Sequence, residues 1–263
     1  MASTASAWGR LVDVFPPGFD STSSTSRGHY RFAPEQFYRM FTTCYDPEHH
    51  VESTLVTSVW YGKQKKGARH EFILVVVEDT QVHGLKNFIV LDRNTSEAST
   101  NKTKKGSQGQ SAYHSSNCPS IALDAFRVSY NGNEKQLLEE CELFPSQYLE
   151  NIIFSSETPL FLYELATLVH IVAEKGPDYR VATRNCYWFA GLIWECLRFL
   201  RPSGTCDNRF TKERGRFSVL RYTPEVEERD DTCDKYQTEI NSVVERLRER
   251  YRVRYPKLNE PLK

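Results

Sequence analysis

The apolar positions change period along the chain. In "APEQFYRMFTTCY" (33–45) they recur at helical spacing and predict a short helix. The period then shortens. "STLVTSVWYG" (53–62) is β-branched and aromatic, "KQKKGAR" interrupts it, and "HEFILVVVED" (70–79) is apolar enough for a strand covered on both faces. "TQVHGLK" turns the chain into "NFIVLDR" (87–93). Short connections between these strands predict an antiparallel meander. "IALDAFRVSY" (121–130) reads as a further strand and "EKQLLEECELF" as weakly helical. "TPLFLYELATLVHIVAEKG" (158–176) predicts a helix, with Thr-Pro at its start and glycine near its end. A short segment holding Tyr179 leads into a second helix, from Cys186 to about Leu200, where Arg201-Pro202 stops it.

The polar stretches divide the chain. Residues 1–31, rich in Ser, Thr, Gly and Pro, read as a flexible lead-in. Residues 94–120 are low-complexity and polar and read as a disordered surface insertion. Residues 203–223 read as loop or irregular strand. In 224–263 a charged helix and tail carry Tyr236, Ile240, Val243, Val244, Leu247 and Tyr251 near one helical face. That stripe either packs on the domain or serves self-association. The expected organisation is one α+β domain over 32–223: an antiparallel β-meander packed on a buried central helix, with an extra C-terminal helix.

Composition narrows the function. The 34 basic and 34 acidic residues balance, so a basic excess of the kind that marks a nucleic-acid binder is absent. No apolar run approaches the roughly 20 residues of a membrane span. The first residues lack a charged-then-apolar leader pattern. The expectation is a cytoplasmic chain, with the nucleus left open, no integral membrane segment and no cofactor. Seven cysteines (Cys44, Cys118, Cys141, Cys186, Cys196, Cys206, Cys233) include no C-x-x-C pair, which fits free thiols. A metal site from Cys44, His49 and His50 would lack a closed ligand set.

The stretch "YRVATRNCYWFAGLIWECL" (179–197) carries the chemistry. Its helix is apolar nearly all round and should be central. Thr183 or Asn185 can cap it, which puts Cys186 in the first turn. Unpaired N–H groups and the helix dipole favour an anion there, so a thiol in that place is more readily the nucleophilic thiolate. Arg184 beside it would add to the effect, and the N–H groups could hold an oxyanion. Against this stands the packing role of most buried cysteines, which Cys196 should have.

A nucleophilic thiol needs a base and the base an orienting group. His29, His49, His50, His83 and His114 lie in polar or turn-like stretches, and His170 lies inside a helix. His70 opens the strongest strand, a rigid place from which to aim an imidazole. A hairpin of 70–79 with 87–93 brings Asp92 near His70. Glu71 points to the opposite face.

The order His70 on a strand, Asp92 on the next and Cys186 opening a buried helix resembles the circularly permuted papain-like fold. Two branches share an Asn-Cys pair at the helix start followed by aromatics, the NlpC-type and lecithin retinol acyltransferase group and the PPPDE isopeptidases. Here the matching residues are Tyr179, Asn185, Cys186 and Phe189 in "YRVATRNCYWFA". The chain is also similar to fungal proteins with "RHEFILV" and "NCYWFA" segments. Members of both branches often carry a histidine two or three residues after the cysteine, where this chain has Tyr187 and Trp188.

The resemblance implies cleavage of a peptide or isopeptide bond, or acyl transfer, on a protein or acyl substrate. Cys186 would be nucleophile, His70 base and acid, and Asp92 the orienting group. Asn185, Arg184, Tyr187 and Trp188 would lie in the substrate and oxyanion vicinity. The alternative is a catalytically inactive interaction protein in which Cys186 is core.

Overall fold

The computed structural model describes residues 24–26, 29–43, 54–67, 69–80, 84–95, 120–180, 183–207, 210–217 and 220–254. The main strands are β1 (Ser24–Ser26), β2 (His29–Phe32), β3 (Thr54–Gln64), β4 (Glu71–Asp79), β5 (Lys86–Thr95), β6 (Ser120–Ser129) and β7 (Ser146–Ile153). Short strands β8 (Leu160–Phe161), β9 (Asp178–Tyr179) and β10 (Thr205–Asp207) follow, then a small hairpin of β11 (Arg216–Phe217) and β12 (Leu220–Arg221). One ten-stranded sheet runs β1-β2-β6-β5-β4-β3-β7-β10, with β8 on β3 and β9 on β6. The helices are α1 (Pro34–Thr43), α2 (Glu134–Glu140), α3 (Leu162–Lys175), α4 (Cys186–Leu200) and α5 (Val226–Arg254). The class is α+β, with the expected β3-β4-β5 meander, continued by β6, and a long C-terminal helix. Among the described residues no helix is long and apolar enough to cross a membrane.

The sheet is covered on both faces, which explains the unbroken apolar run of β4. Ile73, Val75 and Val77 join the main core with α1, α3, α4 and α5. Phe72 and Leu74, on alternate positions, join a smaller cluster with Val90, Leu137, Leu138 and Leu143, partly under α2. Helix α4 lies inside the main core: every residue from Cys186 to Trp194 is buried. The stripe of α5 is used within the chain. Tyr236, Ile240, Val243 and Leu247 are all buried in the main core, and Val244 packs partly against it. The Tyr251 side chain lies outside those described.

Four sequence expectations change. Part of the stretch read as lead-in is sheet: β2 pairs with β6 from His29↔Ser129 to Phe32↔Phe126. Phe32 anchors it, buried and edge-on to Phe37 at 5.7 Å; the polar composition around it hid the strand. Strand β7 was not expected at all, yet it pairs with both β3 and β10. Helix α3 starts at Leu162 rather than at Thr158-Pro159, because Leu160 and Phe161 pair with β3 and the Glu164 side chain accepts from the Phe161 N–H at 2.9 Å. The insertion at 94–120 has strand at its two ends, and 96–119 lies outside the described residues.

A buried arginine fixes the segment that leads into α4. Arg93 on β5 is fully buried. Its Nε and Nη2 donate to the two carboxylate oxygens of Asp124 at 2.6 and 2.8 Å. Nη2 also donates to the Gly176 carbonyl just after α3, and Nη1 to the Arg184 carbonyl at 3.4 Å. The guanidinium lies over the rings of Trp188 and Phe189 at 4.6 and 5.4 Å. Burial pushes the Asp124 carboxyl up more than Arg93 pulls it down, so the pair specifies position more than it adds stability. Arg93→Met should cost about 3–5 kcal/mol, because it strands a buried carboxylate, and Arg93→Met/Asp124→Leu should recover most of it. Chemical denaturation of the two variants checks this; equal losses in both would contradict it.

Candidate active site

The site lies where β4 and β5 stop pairing. Their ladder runs from Glu78↔Lys86 to Ile73↔Leu91. Beyond it, Glu71 pairs with Lys63 of β3 while Asp92 to Thr95 pair with β6. The first turn of α4 meets this opening. The Tyr187 hydroxyl donates to the Arg69 carbonyl at 3.1 Å, and Arg93 reaches the Arg184 carbonyl. Asn185 is the N-cap: its Oδ1 accepts from the N–H groups of Tyr187 and Trp188 at 3.0 and 3.2 Å.

Cys186, His70 and Asp92 come together here. The His70 imidazole and the Cys186 thiol lie within range to influence each other. His70 Nε2 is buried without a hydrogen-bond partner. Nε2 points at Asp92, 3.9 Å from Oδ2. That is an ion-pair separation, longer than a hydrogen bond. Asp92 is itself held: Arg127 Nε donates to Oδ1 at 2.8 Å and Asn94 Nδ2 to Oδ2 at 2.6 Å. Burial acts to lower the His70 pKa. The facing Cys186 sulfur and the Asp92 carboxylate raise it, Arg127 opposes them weakly, and the net shift is upward from 6.5.

Tyr179 completes the immediate surroundings. Its hydroxyl lies close to Cys186. Burial pushes that phenol well above its ordinary value, so it stays neutral and keeps a proton to donate. Its O–H can serve a substrate oxygen near the sulfur, alongside the N–H expected to hold an oxyanion. The signal was the position of Tyr179 in the motif.

The other expected neighbours have different tasks. Arg184 turns away, its Nη1 donating to the Lys175 carbonyl at 2.9 Å, and so ties α3 to α4 rather than adding charge at the thiol. Trp188 points into the core, and its Nε1 donates to Glu228 of α5 at 3.0 Å. Asn185 is a cap. Tyr187 remains at the site's edge, with Lys63 Nζ 5.3 Å from its ring centre. Glu71 does face away from His70: Lys63 Nζ and the Tyr61 hydroxyl donate to it at 2.8 and 2.5 Å, with the Gly215 N–H at 3.0 Å. His170 is a packing residue, stacked on Tyr38 at 4.5 Å. Arg93, Arg127 and Asn94 were not singled out from sequence; only their neighbourhood to Asp92 in β5 and β6 marks them. Cys44, Cys118, His49, His50, His83 and His114 lie outside the described residues, and the described ones contain no cluster of three or more metal-ligating side chains.

No protein-family model, curated protein or solved structure matches this chain. A thiol in contact with an imidazole can pass its proton and attack an electrophilic carbon, and a carboxylate behind the ring favours the imidazolium that results.

The upward shift of His70 has a sign that can be measured. A folded-state pKa above the unfolded value stabilises the fold fully below about pH 6.5, and that contribution is lost as pH rises through the folded value. Ring titration by NMR should give His70 a value above 6.5, lowered in Cys186→Ala and in Asp92→Asn. A value at or below 6.5 in the native protein, unmoved by either change, would contradict the assigned contacts.

Proposed function

We propose that the chain is a cysteine-dependent hydrolase of peptide or isopeptide bonds, or an acyltransferase, with the Cys186–His70 pair as its catalytic core. The observation that carries this is the juxtaposition of a thiol in the first turn of a buried helix with an imidazole backed by a carboxylate. In this scheme the Cys186 thiol gives its proton to the His70 imidazole. The sulfur attacks the substrate carbonyl carbon, forming a C–S bond and an oxyanion beside Tyr179. His70 then protonates the leaving nitrogen or oxygen as its bond to carbon breaks, leaving a thioester on Cys186. Water, or an acceptor hydroxyl or amine, attacks the thioester with His70 taking its proton, and the thiol is restored. Asp92 positions the ring and supports its charged form. The order of these residues along the chain supports the likeness to the permuted papain-like group, and the absence of a histidine just after Cys186 sets this chain apart within it.

One observation favours an inactive binding module instead. Cys186 is only 5% exposed, so substrate must find the sulfur through a narrow approach. The two readings separate on whether the thiol can be acylated in the folded protein.

Incubation with activated acyl thioesters and peptide esters, followed by mass spectrometry, tests this. One acyl group should appear on Cys186, and its formation should slow about 10²–10⁴-fold in His70→Ala and about 10²-fold in Tyr179→Phe. Acylation of other cysteines only, or an equal rate in His70→Ala, would overturn the proposal.

A further inference from the structure

The Asp92 carboxylate has three claimants, and the geometry divides it unevenly. Antiparallel pairing sets Asp92 of β5 against Ala125 of β6, and Val90 against Arg127. Arg127 is thus the diagonal neighbour of Asp92 on one face of the sheet, within reach of a long side chain. Asn94, two residues on from Asp92, stands on the same face. That face is opposite the main core, because Leu91, Phe126 and Val128 lie in that core.

Both carboxylate oxygens are taken. Arg127 Nε donates to Oδ1 at 2.8 Å and Asn94 Nδ2 to Oδ2 at 2.6 Å. His70 is served last. Its Nε2 stops 3.9 Å from Oδ2 and is buried without a hydrogen-bond partner. A hydrogen bond from that distance of 3.9 Å would need an approach closer by about 1 Å. An unpaired buried nitrogen is costly, and this carboxylate could relieve it. What prevents this is the pair of short bonds the carboxylate already accepts, one of them charge-assisted. Asp92 is buried, so protein groups rather than solvent decide where its oxygens point.

We propose that Arg127 and Asn94 are positioning residues of this site: they hold the Asp92 carboxylate short of His70 Nε2 and so set how strongly it acts on the imidazole beside Cys186. The inference rests on the reading of Cys186, His70 and Asp92 as one site. Release of either donor lets the carboxylate close on the ring and favours its charged form. The groups that bear on the imidazole are Cys186 from α4, Asp92 from β5 and Arg127 from β6. Around Arg127 stand Arg31, directly opposite it on β2, His29, whose Nε2 is 3.5 Å from Nη1, and Cys141 at the end of α2. Arg127 also repels the charged ring directly, so a change there has two effects to separate.

NMR titration of the His70 ring in the full chain, without substrate, separates them. Asn94→Ala changes no charge, so it should raise the His70 pKa above the native value only through Asp92. A downfield Nε2–H proton signal should accompany the rise. Arg127→Met should raise the value too. In the Asp92→Asn background the rise from Asn94→Ala should vanish, and the rise from Arg127→Met should shrink to the part due to direct repulsion. Should Arg127→Met fail to fold, because it strands a buried carboxylate, Asn94→Ala with and without Asp92→Asn decides alone. A His70 value unmoved in Asn94→Ala, or raised by it equally in the Asp92→Asn background, overturns the proposal. The titration needs no substrate, so its failure and a failure of the acylation assay are told apart.

Discussion

Helix α4 has no polar face to offer to water. From Cys186 to Trp194 every side chain is buried, including Trp188, Phe189, Ile193 and Trp194. Such a helix must be enclosed by sheet on one side and by helices on the others, and the meander, α3 and α5 supply that enclosure. Its ends cannot be apolar, because the first N–H groups need partners. The start of α4 therefore emerges where β4 and β5 separate, and the polar groups of the molecule collect there. Asn185 caps two of the N–H groups, Tyr179 lies close to Cys186, and the sulfur lies beside His70.

Buried charges hold that region in place. Arg93 joins Asp124 on β6 to the carbonyls of Gly176 and Arg184, so both ends of the α3–α4 connection hang from the sheet. On the other side of the opening, Lys63 bridges Glu71 to the carbonyls of Glu213 and Arg216 at 2.7 and 2.6 Å, fastening the 211–217 turn. Gly215 at φ +69° is required in that turn, since a Cβ there would fall 2.0 Å from the Tyr222 carbonyl oxygen. Arg214 extends the same clamp to Glu150 and Glu195 at 2.9 and 2.5 Å. Pairs of this kind add little net stability, because desolvation offsets their attraction, but each admits few geometries. The thiol–imidazole contact depends on that restriction.

The sequence was most legible where one signal dominated. The apolar runs of β4 and α4, and the Arg201-Pro202 stop, placed those elements within a residue or so. The stripe of α5 was visible too, but a stripe does not say what covers it; here the chain's own core does, through Tyr236, Ile240 and Val243. Strand β7 was hidden because "SQYLENII" mixes exposed and buried positions without clean alternation. Strand β2 was hidden because a single aromatic, Phe32, anchors it among polar residues. At the site, hairpin geometry brought Asp92 to His70, since antiparallel pairing ties the start of one strand to the end of the next. Arg127 and Asn94 were beyond reach, because they act through the pairing of β5 with β6 and through side-chain direction, which no local pattern encodes. Arg184 was misjudged for a related reason. Adjacency to Cys186 in sequence does not fix where a long side chain goes, and the open Lys175 carbonyl at the end of α3 captured it.

The central claim is that Cys186 and His70 act as one ionising unit. The most direct measurement is the rate of Cys186 alkylation by a small neutral electrophile across pH, in the folded native protein and in His70→Ala. The expected result is alkylation of Cys186 in the folded native protein and a marked loss of that rate in His70→Ala with the fold intact. Alkylation only upon unfolding, or a pH profile unchanged by removal of the imidazole, would contradict it and make Cys186 a core residue.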